Sequence, residues 1–299
     1  MTTKNINQFP LWTAIVTPMN DDSSVDFVSF EKILKEQDQA GVAVVILGST
    51  GEALNLGKDE CKKILEFGLS LNLKVPVMTG IGGFNQIDTL EYVRYLNSLS
   101  GLDAYLVVTP LYAKPGELGQ TEWFKAILDL STRPCMLYNV PGRTGVKMNF
   151  NAIKNLSQHK NFWAVKEASG SVEDFKLYGE MAPQARMYSG DDGMVPDFYP
   201  HRCVGLVSVA SNAWPVETKA YVEKALAGKL SKDEASLWAK SCDTLFTVAN
   251  PVPVKNIMHA EGKIKTNVLR SPLHAGDLKN NEIQLKASRD IKEWYLKNH

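Results

Sequence analysis

Through its first two thirds the chain repeats one pattern: a short β-rich apolar run bounded by turn residues, then an amphipathic stretch. The runs are Leu11–Val16, Val42–Leu47, Val75–Thr79, Ala104–Val108, Cys135–Tyr138, Phe162–Lys166, Arg186–Ser189 and Gly205–Val209. Helical patterns such as Phe30–Gln39, Asp59–Leu71, Ile87–Leu99, Glu122–Leu130 and Val172–Met181 lie between them. Apolar runs bounded by turn residues suit strands that are buried on both faces. Eight of them alternating with helices predict a parallel sheet, and eight is the number that closes a barrel. The expected fold is therefore an α/β (β/α)8 TIM barrel. A doubly wound open sheet would usually carry a phosphate-binding glycine fingerprint after the first strand, where Thr17-Pro18-Met19 stands.

After Trp214 the strand signal fades, and Val216–Ala227, Asp233–Val248, Pro253–Glu261 and Ile283–Lys297 read as helices. The first completes the barrel and the others form a C-terminal helical extension. The expected division is residues 1–228 for the barrel and its site, and 229–299 for the helical domain. Near Met194–Tyr199 the helix after the seventh run is interrupted by Pro196 and Pro200.

Composition excludes several function classes. Lys plus Arg and Asp plus Glu number 33 each, so no charge excess calls for nucleic acid or an anionic membrane. Met1–Pro10 is polar and lacks the apolar core of a signal peptide, and Val42–Leu47 is far too short to span a bilayer. Cys61, Cys135, Cys203 and Cys242 form no CxxC pair, which fits reduced thiols in a cytoplasmic protein. A small-molecule site is the remaining expectation.

In such barrels the active site sits at the C-terminal ends of the strands. Those ends carry Thr17, Gly48-Ser49-Thr50-Gly51-Glu52, Gly80-Ile81-Gly82-Gly83, Thr109-Pro110-Leu111-Tyr112, Tyr138-Asn139, Lys166, Ser189-Gly190-Asp191-Asp192 and Ser211-Asn212. The five histidines, at 159, 201, 259, 274 and 299, fall elsewhere.

Lys166 has two readings. A lysine at a strand end can snorkel to water. Ala164 shares its face, however, and that small side chain suits a crowded lumen, with Trp163 and Val165 turned to the helices. Desolvation of an inward lysine favours the neutral amine that attacks carbonyl carbon. Tyr138 ends the adjacent strand, where a phenol can relay protons, or can simply be a buried, satisfied tyrosine. Around Ser49-Thr50-Gly51-Glu52, backbone N–H groups and hydroxyls can hold a carboxylate; Ser49 and Glu52 also have capping-box spacing. Gly80, Gly82 and Gly83 read as tight turns. Arg143 is either a solvated loop residue or a fork for a substrate carboxylate. Glu52, Glu167, Asp191 and Asp192 prompt a metal reading, but continued strand geometry turns Glu167 away from the lumen. No metal and no cofactor are expected.

At these residues the chain resembles the dihydrodipicolinate synthase / N-acetylneuraminate lyase family of class I aldolases. The likeness runs from about Leu11 through Lys255. It is carried by Gly48-Ser49-Thr50-Gly51-Glu52, by the run from Tyr138 to Gly145, by Val165-Lys166-Glu167-Ala168-Ser169-Gly170, by Ser189-Gly190-Asp191-Asp192 and by Asn250-Pro251-Val252-Pro253-Val254-Lys255. The resemblance implies that Lys166 forms an imine with pyruvate and that Tyr138 moves protons through Ser49, which stands where the synthases usually have threonine. It implies that Thr50 holds the pyruvate carboxylate, with Gly190 and the Val207 backbone also at the substrate. Tyr112 matches the tyrosine that enters a neighbouring subunit's site, implying a homodimer at least and a homotetramer as a dimer of dimers.

Arg143 resembles the arginine that binds the carboxylate of L-aspartate 4-semialdehyde. The implied reaction is thus condensation of pyruvate with that aldehyde, on the route to lysine and diaminopimelate. The Gly-Ser-Thr-Gly-Glu form is common among sialic acid lyases, so N-acetylneuraminate cleavage or another pyruvate-dependent aldol reaction is the alternative. A non-catalytic 2-oxo-acid-binding barrel is the alternative of a different class. Lysine-inhibited members place an aromatic residue and a histidine where Leu111 and Cys61 stand here, which implies weak or absent feedback inhibition.

Overall fold

The computed structural model describes residues 4–298, so Met1–Thr3 and His299 lie outside the described residues. Eight parallel strands close into a barrel in sequence order, with the last pairing the first. They are β1 Leu11–Ala14, β2 Ala43–Ile46, β3 Val77–Ile81, β4 Ala104–Val108, β5 Cys135–Asn139, β6 Phe162–Glu167, β7 Arg186–Ser189 and β8 Cys203–Ser208. The helices are α1 Phe27–Ala40, α2 Lys58–Ser70, α3 Gln86–Ser98, α4 Glu117–Leu130, α5 Pro141–Thr144, α6 Phe150–Leu156, α7 Val172–Met181, α8 Val195–Phe198, α9 Pro215–Leu226, α10 Lys232–Asp243, α11 Val252–Ala260 and α12 Glu282–Asn298.

Two apolar layers follow from strand alternation. One, with Trp12, Val45, Met78, Leu106, Met136 and Tyr188, fills the barrel. The other, including Phe30, Ile64, Phe124 and Phe175, lies between strands and helices. Local signals set the helix ends. The Asp26 carboxylate accepts from Val28 and Ser29 N–H at the start of α1, and Gly41 ends that helix at φ +67°. The short α6 escaped the periodicity reading because seven residues hold only Ala152, Ile153 and Leu156 as buried positions; its signal is the cap at Asn149. Conversely, the expected helix Asp233–Val248 stops at Asp243 and tightens to a 3-10 turn over Thr244–Phe246.

Alternation is interrupted on β6. Cys135 pairs with Phe162, but Met136 pairs with Ala164, leaving Trp163 as an extra residue. Trp163 therefore does not face the helices as strict alternation predicts. It packs on the barrel layer, 6.0 Å from Trp12 and 5.7 Å from Tyr188 between ring centroids. From Ala164 onward, parity is as expected, with Val165 in the helix-facing layer. A second irregularity lies at Val204 on β8, which begins at Cys203, two residues before the expected start at Gly205. Gly80 also differs from expectation: it lies within β3, where a Cβ would sit 2.3 Å from the Leu47 carbonyl oxygen. Glycine there lets the chain leaving β2 cross close to its neighbour.

The C-terminal helices pack on the barrel and on one another. Trp238 of α10 stacks on Tyr221 at 4.3 Å and meets Trp294 of α12 edge-on at 5.3 Å. Helix α11 reaches the rim. Lys255 Nζ donates to Glu52 Oε1 at 2.8 Å and to the Thr17 carbonyl at 2.9 Å, with both charged side chains fully buried. Burial pulls the Lys255 pKa down, and Glu52 opposes that shift. The Arg270 N–H completes the Glu52 carboxylate at 2.7 Å, while its guanidinium forks onto Glu60 and holds that carboxyl down at about 2. No helix among the described residues is long and apolar enough to cross a membrane.

Removing one partner of a buried pair strands the other charge. Lys255→Met is expected to cost about 3–5 kcal/mol in denaturant unfolding; a loss below about 1 kcal/mol would show that Glu52 finds other compensation.

Candidate active site

Lys166 and Tyr138 are direct register partners on β6 and β5. Both face the lumen near the C-terminal strand ends, and they are only 6% and 7% exposed. Lys166 Nζ lies 4.2 Å from the centroid of the Tyr138 ring, within the range of a cation–π contact for the charged amine. Snorkelling to water does not describe this lysine. Gly190 makes room for it: a Cβ there would lie 2.8 Å from Lys166 Cε and 2.6 Å from Ala168 Cβ.

The surrounding acids are individually anchored. Asp191 accepts from the Gly170 N–H at 3.0 Å. Burial pushes its pKa up to about 6, with Asp192 adding to the shift and the Gly170 bond and Lys166 opposing it. Asp192, also pushed up by burial, accepts from the Ser208 hydroxyl at 2.5 Å and from the Val209 and Ala210 N–H groups at 3.1 Å each. Glu167 accepts from Asn139 Nδ2 and from the Ser169 N–H, both at 2.7 Å, and burial raises it to about 7. Glu52 is taken by Lys255. These four carboxylates are thus spent on separate partners, and among the described residues no group of three or more His, Cys, Asp or Glu side chains is arranged to hold a metal ion.

The turn after β2 departs from the capping alternative. Glu52 sits at φ +58° and its N–H donates to the Ser49 carbonyl, so Ser49 and Glu52 do not cap a helix. Ser231 and Glu234 form a capping box at α10 instead. Ser49 is half-buried and Thr50 is buried. Thr50 Oγ1 accepts from Asn250 Nδ2 at 2.9 Å. Arg143, exposed on α5, donates through Nη2 to the Asn250 carbonyl at 3.1 Å. Val207 lies fully buried on β8 opposite Trp12. Tyr112 stands apart: it is 90% exposed at φ +62°, with its N–H on the Thr144 carbonyl at 3.3 Å.

Residue-by-residue reading passed over Asn250 and Lys255 as site elements. Their signal was the Asn250–Lys255 run, which places a lone lysine among Val252, Pro253, Val254, Ile257 and Met258, all buried.

A lysine thus lies over a phenol in the lumen, with hydroxyls and an arginine beyond the strand ends. The model of the "Dihydrodipicolinate synthetase family" matches residues 9–293. The chain belongs to this family. A relative named 4-hydroxy-tetrahydrodipicolinate synthase, from Francisella tularensis subsp. novicida, is 45% identical over 95% of this chain and 96% of its own length. The crystal structure of dihydrodipicolinate synthase from Acinetobacter baumannii, complexed with pyruvate, superposes with a TM-score of 0.88 at 31% identity, covering 95% of this chain and 99% of that one. A structure described as a monomeric dihydrodipicolinate synthase variant gives 0.89 at 29% identity, covering 96% and 98%.

Within this family member, Gly190→Ala tests the packing around the lysine. Displacing Lys166 by the added methyl is expected to lower the rate of covalent capture of a 2-oxo acid by about a hundredfold. Capture at the unchanged rate would mean that Ala168 or the backbone absorbs the methyl.

Proposed function

We propose that this chain condenses pyruvate with L-aspartate 4-semialdehyde through an imine on Lys166, the 4-hydroxy-tetrahydrodipicolinate synthase reaction of lysine and diaminopimelate synthesis. The observation that carries the reading is the Lys166 amine held over the Tyr138 ring inside the closed barrel. The neutral amine adds to the C2 carbonyl of pyruvate, giving a carbinolamine that loses water to become the imine. Loss of a methyl proton makes that carbon nucleophilic, and it forms the new C–C bond at the aldehyde carbon. The Tyr138 phenol is within reach to give and take these protons, with Ser49 and Tyr112 as its relay partners. Thr50 receives the pyruvate carboxylate beside Gly190 and Val207. Arg143, steadied by the Asn250 carbonyl, receives the carboxylate of the aldehyde.

Tyr112 completes a relay only if a second copy brings its own tyrosine to the site. Its exposure, together with exposed Leu54 and Phe84 after β2 and β3 and Ile87 in the first turn of α3, supports a homodimer that covers this face. Leu111 joins that surface by donating its N–H to the Gly83 carbonyl at 3.1 Å.

Pyruvate with borohydride is expected to add irreversible mass at Lys166, and Lys166→Ala to abolish it. Arg143→Ala should cut turnover with aspartate semialdehyde about a hundredfold or more while sparing pyruvate capture. Label on another lysine, or cleavage of N-acetylneuraminate in preference to the condensation, would overturn the assignment. Cys61 is half-buried, its thiol on the Ala53 carbonyl, and burial raises its pKa to about 11. Neither it nor Leu111 offers a polar or stacking partner to free lysine. Activity should therefore stay within twofold at millimolar lysine; strong inhibition at sub-millimolar levels would refute this.

A further inference from the structure

We propose that Asn250 is a positioning residue that fixes the direction of the Thr50 hydroxyl, and so sets the affinity of the site for the carboxylate of a 2-oxo acid. The inference rests on the reading of Thr50 as a carboxylate donor. A threonine hydroxyl has one proton to give and lone pairs to receive. Asn250 Nδ2 occupies the receiving side at 2.9 Å, between side chains that are 6% and 4% exposed. The Thr50 proton is thereby left for another acceptor, and a carboxylate accepts only.

The other half of the amide points the same way. Asn250 Oδ1 is buried and has no hydrogen-bond partner among the described residues. Its N–H group is what the site uses. The main chain of the same residue takes Arg143 through its carbonyl. One residue of the C-terminal extension therefore touches both carboxylate-binding groups, the first by its side chain and the second by its backbone. Side-chain substitution separates the two.

The probe is pyruvate, and the readouts are its half-saturating concentration for cyanoborohydride trapping at Lys166 and the KM of each substrate. Asn250→Ala is expected to raise the half-saturating pyruvate about tenfold, with the KM for aspartate semialdehyde changed less than twofold because the backbone contact to Arg143 survives. Isosteric Asn250→Asp should be impaired more at pH 8 than at pH 5, relative to wild type at each pH. A protonated carboxyl can donate to Thr50, whereas a carboxylate takes its proton. In a Thr50→Val background, Asn250→Ala should add less than a twofold change. An unchanged pyruvate affinity in Asn250→Ala, or an undiminished effect in the Thr50→Val background, overturns the inference and leaves the imine reading standing. No trapping in wild type overturns both, and no effect of Thr50→Val overturns the inference together with the reading of Thr50.

Discussion

The ion pair between Glu52 and Lys255 is where the barrel and its extension become one structure. It joins the turn after β2, the carbonyl at the end of β1, helix α11 and the backbone at Arg270. Such a pair adds little net stability over an apolar replacement, because both charges must leave water. Its effect is specificity: a buried carboxylate tolerates only arrangements that satisfy its oxygens. Glu52 lies two residues from Thr50, so the constraint that seats α11 also fixes the turn bearing the hydroxyls. Arg270 extends the same lock outward to Glu60 at the start of α2.

Barrel closure supplies the second constraint. Parallel register sets Tyr138 beside Lys166, and period-two alternation turns both into the lumen. The extra residue at Trp163 protects that arrangement. Regular alternation would put Phe162 and Ala164 on one face; with the bulge, Phe162 joins the helix-facing layer while Trp163 and Ala164 both serve the barrel. A tryptophan near the N-terminal end of β6 closes the floor beneath the site, and alanine above it leaves space under the lysine. Gly190 then clears the side from which β7 approaches.

Most of this architecture was legible in the sequence because apolar runs and amphipathic periods report burial directly. Lys166 and Tyr138 could be placed from strand ends alone. Trp163 could not: a one-residue bulge leaves the apolar run unbroken, so alternation misassigns its face. Glu52 was misleading for a related reason. Capping-box spacing is a local signal, and a partner 203 residues away at Lys255 outcompetes it. Gly80 read as a turn because its reason, a carbonyl of the adjacent strand's loop, is also non-local. The loops that differed from expectation are those whose partners lie elsewhere in the chain.

That pattern bears on how the site is assembled. A division at residue 228 would cut through the contacts that tie Asn250 and Lys255 to the barrel. The lysine and phenol belong wholly to the barrel and meet through neighbouring strands. The groups suited to carboxylates do not stand alone: Thr50 and Arg143 both lean on Asn250, and the turn holding Thr50 leans on Lys255. A barrel without its extension would leave Glu52 without Lys255 and Thr50 Oγ1 without its Asn250 partner. Orientation, more than the presence of reactive groups, separates a capture-competent lysine from an efficient catalyst. The helical extension therefore belongs to the framework that holds the rim of the candidate site.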